Sequence, residues 1–169
     1  MSSAYVYEIL EEKNWKAINE LHGIDFMDLI SRLYYEYYSE VPYETLNDVQ
    51  KTVHDLILFD DLLNFENDID FTSFYINNTD ALLNKHLPRL IDFFDNANQI
   101  SASELIKRLY NNLVNPAPSL NDVANYTKTC DLIVEIESKF REFPESFLYS
   151  LLKAYTQTDL NSQKLLEDY

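Results

Sequence analysis

A single glycine, Gly23, stands among 169 residues. Glycine tolerates φ > 0 and lets a backbone approach an anion closely, so its scarcity removes whole classes of architecture and chemistry. A phosphate-cradling loop needs several glycines. A dinucleotide-binding turn needs three, and the strand–turn–helix elbow that presents a nucleophilic serine needs two. Tight two-residue hairpins also lean on glycine. What remains is a chain of helices joined by polar turns.

Hydrophobic periodicity agrees. Val6, Ile9, Leu10, Ile18 and Leu21 recur at helical spacing, which predicts a helix over 4–21 with Ser3 as its cap. His22-Gly23 is a stop signal. Asp25 then caps a second helix through Tyr38, with Asp28 where the helix dipole favours an acid. Its apolar side is Phe26, Leu29, Ile30, Leu33, Tyr34 and Tyr37. Pro42 opens a third helix over 43–63, striped by Leu46, Val49, Val53, Leu56, Ile57 and Leu63. At about 100° per residue, Glu44, Asp48 and Asp55 fall together on the opposite side. Asp60 projects onto the apolar side, either at a fraying end or as a buried acid with a partner.

Residues 64–79 read as a turn and a short aromatic helix. A helix from Thr79 or Asp80 runs past Pro88, which kinks or restarts it, to Asn96. Ser101 and Glu104 have the spacing of a capping box for a helix over 102–113. Further helices are expected over 120–142, from Pro144 to Gln157, and in the tail 159–169. Asn115-Pro116-Ala117-Pro118-Ser119 is the clearest linker, too short to separate two domains. The expectation is one all-α domain over 1–169, a compact bundle of about 7–9 helices.

Hydrophobic content of 46%, with 13 Tyr and 10 Phe, argues for a packed core and against disorder. No apolar run is long enough to span a membrane. The N-terminus lacks the basic leader and apolar stretch of a secretory signal. Cys130 is the only cysteine, so no intrachain disulfide forms. These features point to the cytoplasm.

The candidate chemistries are thin. His22, His54 and His86 are too far apart in sequence for two of them to share a helix face, and no metal or other cofactor is expected. Asn64, Glu66, Asp68 and Asp70 alternate like calcium ligands but lack the glycine of the sharp turn and the closing bidentate Glu. Cys130 reads as a buried structural thiol. Carboxylate pairs arise by chance among 29 acids and carry no weight. The run Leu33-Tyr34-Tyr35-Glu36-Tyr37-Tyr38 resembles a base-stacking platform, but its neighbours Glu36, Glu40 and Glu44 repel phosphate. Its rings either fill the core, leaving Tyr35 and Tyr38 at the surface, or anchor a protein interface.

Charge is the positive signal. The net charge is −16, and residues 1–84 hold 17 acids against 4 bases. Between Lys51 and Lys85 there are seven acids and no base. Solubility needs a net charge of magnitude roughly 2–8, and the excess repels nucleic acid and anionic membrane while attracting basic protein. Acids at i and i+4 on a helix lie about 6 Å apart, a charge spacing of the same order as the ~3.4 Å of one DNA strand. The acids expected to meet a partner are Glu36, Glu40, Glu44, Asp48, Asp55, Asp61, Glu66, Asp68 and Asp70.

The stretch from Glu66 to Thr79 resembles the signature of the bacterial DNA-mimic protein 19 family, roughly E-x-N-G-G-F-x-Q-(Y/F)-F-x-N-S. Glu66, Phe71, Phe74, Tyr75 and Asn77 match, while Ile69 and Asp70 stand nearest the two glycines and Ser73 nearest the Gln. The likeness extends loosely over residues 40–157, including Ile136 to Phe140 and Leu151 to Tyr155. It implies an all-helical protein, often a homodimer, whose acidic surface imitates DNA and occupies a transcription factor. The motif residues would then be structural. The resulting expectation is an inhibitor that binds a basic DNA-binding protein and blocks its access to DNA, and not an enzyme. An immunity or anti-defence protein that neutralises a nuclease or toxin is the alternative, and a carboxylate-based or metal-dependent enzyme the reading from another class.

Overall fold

The computed structural model describes residues 2–63, 78, 85–114 and 123–168, seven of them (2, 3, 113, 114, 123, 125 and 126) by backbone only. Every regular element among them is helical. The α-helices are α1 (Ser2–Glu12), α2 (Gly23–Arg32), α3 (Asp48–Leu63), α4 (Leu87–Asn96), α5 (Ile100–Val114), α6 (Val123–Arg141), α7 (Phe147–Thr156) and α8 (Asp159–Leu165). Two 3₁₀ helices (Trp15–Glu20 and Tyr43–Thr45) and one π-helix (Leu33–Tyr38) join the first three. The all-α class expected from the sequence is therefore the class observed.

The contacts divide into two units. One comprises Met1–Ile57 with Ser146–Tyr169, and the other Leu58–Glu145. In the first, α1 packs on α2, and α8 packs on the first 3₁₀ helix and on α7. Its buried residues include Val6, Ile9, Ile18, Phe26, Leu29, Ile30, Leu33, Val53, Leu56, Leu152 and Leu165. Polar contacts join its two chain segments. Ser162 Oγ donates to Asn19 Oδ1 at 3.0 Å, and Asn47 Nδ2 donates to Lys164 O at 2.9 Å. Gln50 Nε2 donates to Glu167 O at 2.6 Å, and the Tyr38 hydroxyl donates to Leu165 O.

In the second unit α4 packs on α5 and α5 on α6. Phe140 lies 5.0 Å from Phe59, 5.9 Å from Phe94 and 5.5 Å from Phe143 between ring centroids, mostly edge to face. Such pairs add roughly 0.5–1.5 kcal/mol each beyond their burial. Arg108 grips Glu135 with two parallel bonds of 2.8 and 2.9 Å, linking α5 to α6.

The element boundaries differ from the periodicity in instructive ways. The helix expected over 4–21 stops at Glu12. Lys13 takes φ +49°, and the bonds Lys13 N–H to Leu10 O and Asn14 N–H to Ile9 O close a Schellman motif there. Asn14 then caps the following 3₁₀ helix through its side chain. Helix α2 begins at Gly23, whose φ of +52° explains the glycine, and Asp25 sits inside its first turn instead of capping it. The helix expected over 43–63 is broken at Leu46, and α3 starts behind a reciprocal box. Asn47 N–H donates to Gln50 Oε1 at 3.0 Å, and Gln50 N–H donates to Asn47 Oδ1 at 2.9 Å.

No such box forms at Ser101 and Glu104. Helix α5 already begins at Ile100, so Ser101 lies within it. Pro88 lies in the first turn of α4, where a missing N–H is tolerated. The tail helix α8 is capped by Thr158, whose hydroxyl accepts from Asn161 N–H at 3.2 Å. The Pro-rich linker 115–119, and most of the segment 64–79, lie outside the described residues.

Candidate protein-binding surface

The acidic candidates follow one another through the first unit. Glu36 lies in the π-helix, Glu40 in the turn after it, Glu44 in the second 3₁₀ helix and Asp48 in the first turn of α3; all four are exposed. Asp48 also benefits from the N-terminal helix dipole. Asp61 is half-buried on the part of α3 that belongs to the second unit. Glu66, Asp68 and Asp70 lie outside the described residues, as do the motif positions Phe71, Phe74, Tyr75 and Asn77.

Asp55 departs from the expectation. It is 1% exposed, so it belongs to the interior and not to a solvent-facing row. Its carboxyl accepts from the Tyr43 hydroxyl at 2.7 Å and lies 3.0 Å from His54 Nδ1. The His54 ring in turn stands edge-on to Tyr34 and Tyr43, with centroids 5.3 and 5.1 Å away. The reason is tertiary cover. Gln50 and Thr52 on α3 are buried as well, and Tyr43 reaches over from the segment preceding the helix. Phasing locates the apolar stripe of α3, but not whether its polar side is roofed. Asp60, which phasing placed on the apolar stripe, is half-buried.

The tyrosine run also differs. Tyr35 is 53% exposed, as expected, but Tyr38 is 1% exposed. The π-helix explains this. Its wider turn, marked by Ser39 N–H donating to Tyr34 O at 2.9 Å, rotates Tyr38 inward to bond Leu165. Cys130 is half-buried on α6.

Arg32 is the basic centre of this region. Its Nε lies 3.1 Å from Asp28 Oδ1 and its Nη1 3.4 Å from Glu36 Oε1, while the guanidinium carbon stands 4.3 Å from the centroid of Tyr7. Burial opposes its charge, but the bonds to Asp28 and Tyr7 outweigh that and raise its pKa above the ordinary value. The spacing Asp28, Arg32, Glu36 is legible in the sequence as successive i,i+4 pairs. The place of Tyr7 on the guanidinium is not, because it depends on how α1 packs against α2.

The acids expected to meet a partner do not include those of α1. Val6, Ile9 and Leu10 are buried, while Ala4, Tyr5, Tyr7, Glu8, Glu11 and Glu12 are exposed. The signal was present, since at 100° per residue those three apolar residues occupy one side and the acids the other.

No helix among the described residues is long and apolar enough to cross a membrane. Comparison with protein-family models, with curated proteins and with solved structures finds no match to this chain.

Proposed function

We propose that this chain is a binding protein that presents an acidic surface to a basic DNA-binding protein and blocks its access to DNA. The observation that supports the reading most is the run of exposed acids Glu36, Glu40, Glu44 and Asp48 along consecutive elements of one unit, in a half-chain of net charge −13. Pairs at the rim speed association, and those that become desolvated slow release. The resemblance of residues 66–79 to the DNA-mimic protein 19 signature agrees with this reading. Asp55 takes no part in it; its role is internal.

The test is competition. A basic protein captured from the native host at low salt is identified and its complex with duplex DNA reconstituted. Adding this chain should release the DNA in proportion to its concentration, and excess duplex should in turn displace the chain. A captured protein that binds the chain and its DNA at the same time would overturn the proposal.

A further inference from the structure

The last carbonyls of a helix run out of intrahelical donors. At the end of α8 and just beyond it, side chains from the other chain segment of the same unit meet them. Asn47 Nδ2 donates to Lys164 O at 2.9 Å, the Tyr38 hydroxyl donates to Leu165 O, and Gln50 Nε2 donates to Glu167 O at 2.6 Å. Asn47 and Gln50 each divide one amide between two tasks. Their oxygens close the reciprocal box that starts α3, and their nitrogens hold the chain at the end of α8. Tyr38 is the last residue of the π-helix and is 1% exposed. Leu165 and Leu166 are buried beside these bonds. Towards its start, α8 is tied to the first 3₁₀ helix. There Asn19 Nδ2 donates to Asp159 Oδ1 at 3.3 Å, and Ser162 Oγ donates to Asn19 Oδ1 at 3.0 Å.

We infer that residues 159–167 form a C-terminal strap whose seating sets the conformation of residues 38–50, so that the two order and open together. A π-turn is a rare winding with few supports of its own, and here a strap carbonyl holds its last tyrosine inward. Unseating the strap removes that acceptor. It also removes the two carbonyls that fix the Asn47 and Gln50 amides in their box. By linkage, whatever orders one half tightens the other by the same factor. The coupling itself needs no partner. Its consequence rests on the acidic-surface reading: Glu40, Glu44 and Asp48 lie between Tyr38 and Gln50, so the strap controls how firmly those acids are held.

The test is native-state amide hydrogen exchange on the full chain, resolved by residue with NMR. Tyr38→Phe removes only the hydroxyl. It should speed exchange of the Ser162 and Leu166 N–H groups by about 3- to 10-fold, with the amides of α1 changing less. Leu165→Ala loosens the strap from its own side. It should speed exchange of Ser39 N–H, bonded to Tyr34 O, and of Lys51 N–H, bonded to Asn47 O, roughly tenfold or more and again beyond α1. Strap amides that stay protected in Tyr38→Phe, or that rise no more than those of α1, would overturn the inference. Ser39 and Lys51 amides unchanged in Leu165→Ala would do the same. If Leu165→Ala does not fold, Tyr38→Phe alone decides. Exchange is read without a partner, so the coupling can fail while the acidic-surface reading stands, and the competition experiment can fail while the coupling stands.

Discussion

Lys153 on α7 donates through Nζ to the backbone carbonyls of Ile18 at 3.1 Å and Asn19 at 3.3 Å, and also to that of Leu21. These carbonyls lie at the C-terminal end of the first 3₁₀ helix, where the last carbonyls run out of intrahelical donors; Ile18 O also accepts from Leu21 N–H at 3.1 Å. The amine also lies 5.1 Å from the Phe26 ring centroid. One side chain from the C-terminal segment thus closes a helix of the N-terminal segment. Lys153→Met keeps the apolar stem and removes the charged donor. It should lower stability by about 1–3 kcal/mol, the cost of leaving such acceptors poorly satisfied. Urea unfolding measures this as a lower midpoint at unchanged slope.

Asn98 carries another consequence of the near absence of glycine. Its φ is +58°, and the bonds Asn98 N–H to Asp95 O at 3.0 Å and Gln99 N–H to Phe94 O at 2.8 Å close α4 in a Schellman motif. Asparagine tolerates this conformation, and most other residues do not. Asn98→Ala should destabilise by roughly 1 kcal/mol, whereas Asn98→Gly should be neutral or stabilising. Thermal melts of the two variants should therefore move apart, with the glycine variant the higher.

Asp55 should behave as a structural residue. Asp55→Ala removes the acceptor of the Tyr43 hydroxyl and the neighbour of His54, and should cost about 1–3 kcal/mol. A double-mutant cycle with Tyr43→Phe should show coupling between the two positions. Loss of partner affinity on Asp55→Asn, with stability unchanged, would contradict the internal role.

Glu135 offers a titration that reports on the α5–α6 link. Its hydrogen bond to Arg108 is the main cause holding its pKa below the ordinary 4.5. A depressed carboxylate pKa contributes stability that is fully present above the unfolded value. That contribution is lost as pH falls through the folded value. Resolved by NMR, the Glu135 carboxyl should titrate below 4.5 in the native chain and move back up in Arg108→Gln.

How much of this was legible beforehand varies with the physics involved. The helical class followed from one glycine and from periodicities such as Val6-Ile9-Leu10 and Leu46-Val49-Val53. Glu36, Glu40, Glu44 and Asp48 are exposed, but the common helix face phased for Glu44, Asp48 and Asp55 does not form, because the helix breaks at Leu46 and Asp55 is buried. The burial of Asp55 and Tyr38 was not legible. The first depends on Tyr43 covering a polar side of α3, and the second on a π-turn that shifts the angular step. The breaks at Lys13 and Leu46 were also missed. The Asn47–Gln50 box had a readable signature, Asn followed three residues later by Gln. The left-handed Lys13 had none, since no residue type marks it.

The central claim is that binding runs through exposed carboxylates, and its most direct measurement is affinity for the identified partner as a function of salt. The native chain should lose roughly tenfold or more in affinity between ~50 and ~200 mM salt, because the ion pairs are screened and compete with free counterions. The combined variant Glu36→Gln, Glu40→Gln, Glu44→Gln and Asp48→Asn should bind more weakly at low salt and show a much flatter dependence. An affinity that hardly changes across that range, or a combined variant with the native slope, would contradict the account.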